Sequence, residues 1–495
     1  MSRINTNVSS LLAQRSLGAT NRTLNQSLER LSTGLRINRG ADDPAGLIAS
    51  ENLRSQKVSI TSAIDNAERA EQVVNIAEGG LGEINSLLLE VQSLVGASAN
   101  EAGISDAEKE ANQLEIDSIV QTIDRIASTT SFQGTKLLNG NYGFQTEAVD
   151  ANVENITVNA AKIPFGESRD VEVLVTGEAQ KGGVVLSFGG TEVSGTGGEL
   201  FTIDVTGTGG SRQFTFASGT GIADISSAIN TFSDVTGVTA SASGTALNLS
   251  SEGFGSDDFV SIDVVNAAGL TGNVARLSGA AVQASDPGTT ALADVTSPLR
   301  DEGVDVKATI NGVNATGKGL EAKISTDFLD VAVELKESGN TVGKNEAATI
   351  TGGGATFNLG PNVDIGNQVS IGINNVAARN LGRVGSDTLA SLSSGSGLNV
   401  VDGDLTQAQK VVNAAITEVA GLRGRLGAFQ KNTVGSTIRS LGVALENTSA
   451  AESSIRDTDF AAETAALTRA QVLQQAATST LSLANSAPQS VLGLL

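Results

Sequence analysis

Between Leu53 and Val95 the seam residues advance by alternating steps of three and four without a slip: Leu53, Gln56, Ile60, Ala63, Ala67, Ala70, Val74, Ala77, Leu81, Ile84, Leu88, Val91 and Val95, with Gln56 the single polar member. A repeat averaging 3.5 residues keeps one seam on one side of an α-helix, whereas a strand alternates faces every second residue. The stretch is therefore predicted to be one helix, a rod on the order of 60 Å long, coiled with partners along its seam. Alanines at 63, 67, 70 and 77 let a partner helix approach closely. Leu53, Ile60, Val74, Leu81, Leu88 and Val95 are expected to turn into the chain's own core.

Similar seams flank this rod. Leu17, Leu24 and Leu31 lie seven apart with Leu28 and Leu35 interleaved, and Ile4, Val8 and Leu11 begin another seam out of phase. In NRGADDPAGL the first helix is expected to end at Gly40, with Asp42 or Asp43 capping the next and Pro44 in its first turn. A third helix opens with the capping-box pattern Ser105-x-x-Glu108 and carries Ile116, Ile119, Ile123 and Ile126. FQGTKLLNG (132–140) reads as a turn.

From about residue 141 to 375 the period changes to two. FTIDV (201–205), QFTF (213–216), ALNLS (246–250), FVSIDVV (259–265), VKATING (306–312) and QVSIGI (368–373) alternate apolar with polar residues between Gly-rich turns, as antiparallel strands do. One short helix, with Ile222, Ile225, Ile229 and Phe232, interrupts them. Helices return at Val412, Ala415, Val419, Leu422, Leu426 and Phe429. Val434, Ile438, Leu441 and Leu445 continue with a shifted phase. Ala470, Leu473, Ala477, Leu481 and Ala484 form a last narrow stripe, which Pro488 is expected to close. The fold class is α+β and multidomain, with long terminal helices forming coiled-coil rods around a β-rich insert.

The charge pattern asks what the two ends do. The chain has 54 acidic against 32 basic residues, a net charge of −22, yet nothing from Ala470 to Leu495 is charged, and the first 28 residues carry Arg3, Arg15 and Arg22 and no acid. Single helices with narrow stripes bury too little area to offset their ordering entropy. Both ends are expected to order only when many copies meet, each tail docking on the N-terminal helix and on identical neighbours. The acidic balance excludes a phosphate-neutralising nucleic-acid surface. With no Cys and no His, disulfides, thiolate metal sites, His-based triads and HExxH zinc sites are excluded. No cofactor or metal is expected, and no enzyme activity. The N-terminus lacks the apolar run of a secretory signal, and no stretch is long enough to span a membrane, so composition alone reads as cytosolic.

Three motifs carry competing readings. GVNATGKG (312–319) approaches a phosphate-binding loop but ends in Gly319, where a Mg²⁺-binding hydroxyl belongs, and it lies among strand-type segments; a glycine turn is expected. GSDDF (255–259) and VDGD (401–404) lack the ligand spacing of a calcium loop and are read as solvated turns.

LSTGLRINRGADDPAGLIAS (31–50) resembles the N-terminal signature of bacterial flagellins, and the segment from LGAFQKNTVGS to NSAPQSVLGLL (426–495) resembles their C-terminal signature almost throughout. SFQGTKLLNG and INGVNATGKG are also similar to flagellin segments. The resemblance implies a filament subunit. Residues 1–44 and 452–495 would form an inner coiled coil, 45–165 and 346–451 a helical rod domain with short β elements, and 166–345 one or more variable surface β domains. The filament-core contacts implied are Ile4, Val8, Leu11, Leu24, Leu28, Leu31, Leu35, Leu473, Leu481, Val491, Leu492, Leu494 and Leu495. Implied partners are identical copies, the flagellar type III export apparatus and a chaperone, and the filament cap and hook-associated proteins. Such a route replaces the cytosolic reading with secretion to an extracellular flagellum without a signal peptide. An animal Toll-like receptor is implied as well, through the region of Glu90, Leu94 and Glu115. Glu90 stands where the family usually has an arginine, so weakened receptor activation is expected. A hook–filament junction protein and a secreted surface adhesin are the alternative readings.

Overall fold

The computed structural model describes residues 6–100, 102–164, 166–195, 199–276, 290–295 and 297–492, with side chains as far as 486. In chain order its α-helices are α1 (Val8–Thr33), α2 (Pro44–Ser98), α3 (Asp106–Thr129), α4 (Ile222–Asn230), α5 (Ser233–Thr236), α6 (Leu405–Ala428), α7 (Gly435–Arg456) and α8 (Phe460–Leu492). The chain divides into two compact units. One comprises Met1–Glu78, Phe357–Gln368 and Arg423–Leu495; the other comprises Gly79–Thr356 and Val369–Leu422.

In the first unit, α1 stops earlier than its sequence pattern suggests. Gly34, not Gly40, ends it: Gly34 adopts φ +74°, the left-handed region that a side chain disfavours, and donates its N–H to the Arg30 carbonyl. Leu35 therefore lies off the helix, in an isolated β-bridge with Asp457. Asp43 caps α2 as expected, its Oδ1 accepting the Gly46 N–H at 2.8 Å, and Pro44 is the first helical residue. The seam residues Ile60, Ala63, Ala67, Ala70, Val74 and Ala77 are buried, whereas Leu53 is half-buried and Gln56 exposed. The phase shift after Phe429 has a structural cause. Phe429–Val434 is a π-helical turn. It inserts the extra residue that carries the buried face from Phe429 to Val434 in one step of five. The turn sends Gln430 to Glu71 and Asn75 of α2, at 3.2 and 2.9 Å. Lys57–Glu452 and Arg456–Glu51 pairs continue this line of polar ties between α2 and α7.

In the second unit, Leu81, Ile84, Leu88, Val91 and Val95 are buried, with Ile116, Ile119 and Ile123 of α3 and Val411, Val412, Ala415 and Val419 of α6. The Ser105 and Glu108 side chains complete a reciprocal capping box at the start of α3. Gln113, itself buried, donates to the Leu392 carbonyl and accepts from the Val400 N–H, at 2.9 and 2.8 Å, and so orders the irregular chain between them. FQGTKLLNG forms a two-residue hairpin, Phe132 facing Thr135 across Gln133 and Gly134, which both have positive φ.

The β-rich region of this unit is two antiparallel sandwiches. A carrier lobe packs a five-stranded sheet containing Arg169–Gly177 and Gly343–Gly353 on a four-stranded sheet containing Val153–Ala161 and Leu329–Leu335. An inserted lobe, between Gly183 and Glu302, packs the sheet of Phe201–Gly207 and Phe259–Asn266 on the sheet of Gly183–Ser187 and Ala246–Ser251, with α4 against the latter. Each lobe has its own apolar core, alternate residues such as Phe201, Ile203 and Val205 facing inward.

Candidate assembly site

α1 and α8 lie antiparallel along each other, and polar side chains set their register. Asn21 pairs with Gln474 at 2.9 Å, Ser10 with Asn485 at 2.7 Å, and Arg30 forms an ion pair with Glu463 at 3.6 Å. At their base the two chain segments are tied through the backbone. Arg36 N–H donates to the Arg456 carbonyl at 2.7 Å, the Arg36 guanidinium to the Ile455 carbonyl at 2.5 Å, and Thr458 N–H to the Gly34 carbonyl at 2.9 Å.

Pro488 does not end α8, which runs on to Leu492. A proline inside a helix has no N–H for the carbonyl four residues back, here Ala484. Asn7 supplies that hydrogen: its Nδ2 donates to Ala484 O at 2.8 Å, while its Oδ1 caps α1 by accepting the Ser10 N–H at 3.0 Å. One side chain thus starts α1 and heals the break in α8. Its capping pattern is visible in sequence, but its partner, far along the chain, is not.

The pair buries small residues and leaves many of its large apolar residues outside. Ala13 and Ser27 of α1 and Ala470 of α8 are buried. Val8 is 65% exposed, Leu11 59%, Leu473 51% and Leu483 71%, and Leu12, Leu28 and Val472 are exposed too. Leu24, Leu31, Leu35 and Leu481 are half-buried. Val491 and Leu492 lie in α8, their side chains beyond those described; Ile4, Leu494 and Leu495 lie outside the described residues. Large side chains turned outward from a helix pair form an apolar surface of the kind that marks an interaction site.

The other candidates resolve into ordinary roles. Residues 312–319 form two short strands, Val313–Asn314 and Thr316–Lys318, with no helix following, and Lys318 pairs with Asp257 at 3.1 Å. Asp404 of VDGD caps α6, accepting the Thr406 and Gln407 N–H groups at 2.9 and 3.1 Å. Among the described residues no group of three or more acidic side chains is placed to hold a metal ion, and no helix is long and apolar enough to cross a membrane. Glu90 and Glu115 are exposed and Leu94 is half-buried.

Residues 4–143 match the bacterial flagellin N-terminal helical region and residues 409–495 the bacterial flagellin C-terminal helical region. A B-type flagellin of Pseudomonas aeruginosa is 32% identical, with 99% of each chain covered. The chain belongs to the bacterial flagellins. A flagellin of Salmonella typhimurium is 29% identical and flagellin B of Vibrio cholerae 28%, each with 99% of both chains covered. In this flagellin the two helical family regions contain α1 and α8, the helices whose apolar faces are left open. Residues 201–253, within the inserted lobe, match the flagellin hook IN motif.

Proposed function

We propose that this flagellin is a structural, non-enzymatic subunit that polymerises with identical copies into the flagellar filament, outside the cell. The observation that carries this reading is the packing of α1 and α8, which leaves Val8, Leu11, Leu28, Leu473 and Leu483 facing outward. Copies stacked through these faces bury what one chain leaves open, and a contact between different faces that does not close on itself produces an open helical polymer. Val8, Leu11, Leu24, Leu28, Leu31, Leu35, Leu473 and Leu481, with Ile4 and the last apolar residues, are the side chains assigned to that core. The segments 1–44 and 452–495 form its inner layer, 45–165 and 346–451 the rod around it, and 166–345 the projecting region. The terminal helices complete their order on assembly, since the burial they need comes from neighbours.

Export as an unfolded chain, aided by a chaperone, fits a sequence without disulfides, and the filament cap and hook-associated proteins are the partners at the filament's ends. An innate receptor reading the Glu90, Leu94 and Glu115 region meets a carboxylate at Glu90 in place of a guanidinium; losing one partner of a buried charge pair costs about 2–5 kcal/mol, so activation is weak. A reporter-cell dose response matching that of an Arg-bearing flagellin would contradict this.

The deciding experiment is seeded polymerisation of the full chain beside a version ending at Arg469, followed by electron microscopy. Filaments from the full chain alone are expected. Filaments from the truncated chain would remove the tail from the assembly core.

A further inference from the structure

The two motifs that no assembly role absorbs, GSDDF and the end of GVNATGKG, meet in space at the crossing between the carrier and inserted lobes. The chain passes between the lobes twice, and there the two passages pair with each other: Gln180 and Val304 exchange backbone hydrogen bonds at 2.8 and 2.9 Å. The apolar cores of the two lobes are separate. A cleft of about 590 Å³, lined by Ser256, Asp305 and Lys307 as well as by Val304 and Val306, opens beside this linker. Polar contacts bridge the crossing next to it.

We propose that the loop around Gly255–Asp258 of the inserted lobe and the turn at Lys318–Gly319 of the carrier lobe form a latch, closed over Asp305, that holds the inserted lobe at one angle. Asp305 lies in the returning passage and bridges both sides. Its carboxylate accepts the Ser256 N–H at 3.0 Å, the Ser256 hydroxyl at 2.6 Å and the Gly319 N–H at 2.8 Å. Lys318 adds an ion pair across the crossing to Asp257. Phe254 leaves the inserted lobe and packs against the carrier lobe's core, with the Lys181 ammonium 4.8 Å from its ring centroid.

Close backbone approach makes the fit specific. A Cβ on Gly255 would stand 2.6 Å from the Gly319 Cα, and one on Gly319 would stand 2.8 Å from the Phe254 carbonyl; both glycines have positive φ. The GKG sequence that resembles a phosphate cradle therefore serves a backbone contact. In a filament subunit, a fixed angle gives every copy of the inserted lobe the same presentation to the surroundings.

The full chain has no cysteine, so Gln213→Cys on the inserted lobe and Lys323→Cys on the carrier lobe, both exposed, give two clean spin-label sites. Pulsed dipolar spectroscopy of the otherwise unaltered chain is expected to give one narrow distance peak. Asp305→Ala is expected to lose that single peak with the far-UV spectrum unchanged. Ser256→Ala removes only an exposed hydroxyl and is expected to broaden the peak; it serves as the test should Asp305→Ala misfold. A broad distribution in the unaltered chain overturns the latch, as does the narrow peak persisting in a folded Asp305→Ala or, should that variant misfold, in Ser256→Ala.

Discussion

Leu483 offers a direct test of how the ends are used. It sits on α8 and is 71% exposed in the single chain. Fully burying a leucine is worth about 1.5–3 kcal/mol, so the exposed part represents roughly 1–2 kcal/mol that a neighbouring subunit can recover. Leu483→Ser forfeits that amount in the polymer. At 1.4 kcal/mol per tenfold, its critical concentration for polymerisation should rise about 5–30-fold. Leu483→Asp goes further, because an unpaired carboxylate sealed in an apolar contact costs several kcal/mol more, and no filaments should form at accessible concentrations. Neither change touches a buried contact in the free chain, so the melting of its folded part should stay within about 0.5 kcal/mol of the parent. Val235→Asp, at a 52% exposed position on the inserted lobe, is the matched control and should polymerise normally. The assay is sedimentation of seeded filaments across a concentration series. Unchanged critical concentrations for both Leu483 variants would show that this face of α8 meets solvent in the filament, and the reasoning from outward-facing apolar residues would fail.

Other perturbations separate local from long-range contributions. Leu88→Ala, at a fully buried seam position, should cost about 2–5 kcal/mol of unfolding free energy, whereas Leu89→Ala, half-exposed on the same helix, should cost under about 0.5; equal effects in chemical denaturation would contradict the seam assignment. Asn7→Asp keeps the cap on α1 but removes the donor to the Ala484 carbonyl, so it should weaken protection of α8 against hydrogen exchange around Pro488. Adding Pro488→Ala should restore it by supplying the missing N–H. Glu334 has its carboxyl raised above the ordinary value, by desolvation first and then by the charges of Glu321 and Glu154. Its folded value exceeds its unfolded one, so the ionised group costs stability above that range and the cost vanishes as pH falls through it. Glu334 is exposed, so solvent screens much of this cost, and Glu334→Gln should raise the carrier lobe's melting temperature only slightly at pH 7 and leave it unchanged near pH 3. Asp305 has the opposite sign. Burial pushes its carboxyl up, but hydrogen bonds from Ser256 and Gly319 and the Lys318 charge outweigh it and hold the group below its ordinary 3.8. Its contribution is present above the unfolded value and lost as acid protonates it, so label distances across the lobes should broaden as the pH falls well below 3.8, and a distribution unchanged down to acid unfolding would contradict this.

What the sequence determined by itself is what rests on short-range geometry. The Leu53–Val95 seam predicts α2 because steps of three and four repeat a local turn, and Ser105-x-x-Glu108 predicts its capping box because both partners lie within one turn. Alternation in FTIDV and FVSIDVV likewise predicts strands, since a pleat alternates faces at every residue. The charge-free tail and its narrow apolar stripe point to self-association for the same reason: a residue list shows which side chains seek burial. Tertiary structure decided the rest. Gly34 rather than Gly40 ends α1, because the chain turns there to pair Leu35 with Asp457. The slip from Phe429 to Val434 shows in the apolar pattern, yet only packing makes it a π turn instead of a break. Pro488 is tolerated because Asn7 supplies the hydrogen that proline lacks, and GSDDF and GKG become one latch because the fold crosses there. In each of these cases the partner lies well outside the local turn, and a one-dimensional pattern carries no information about which distant group will satisfy a given donor, acceptor or φ angle.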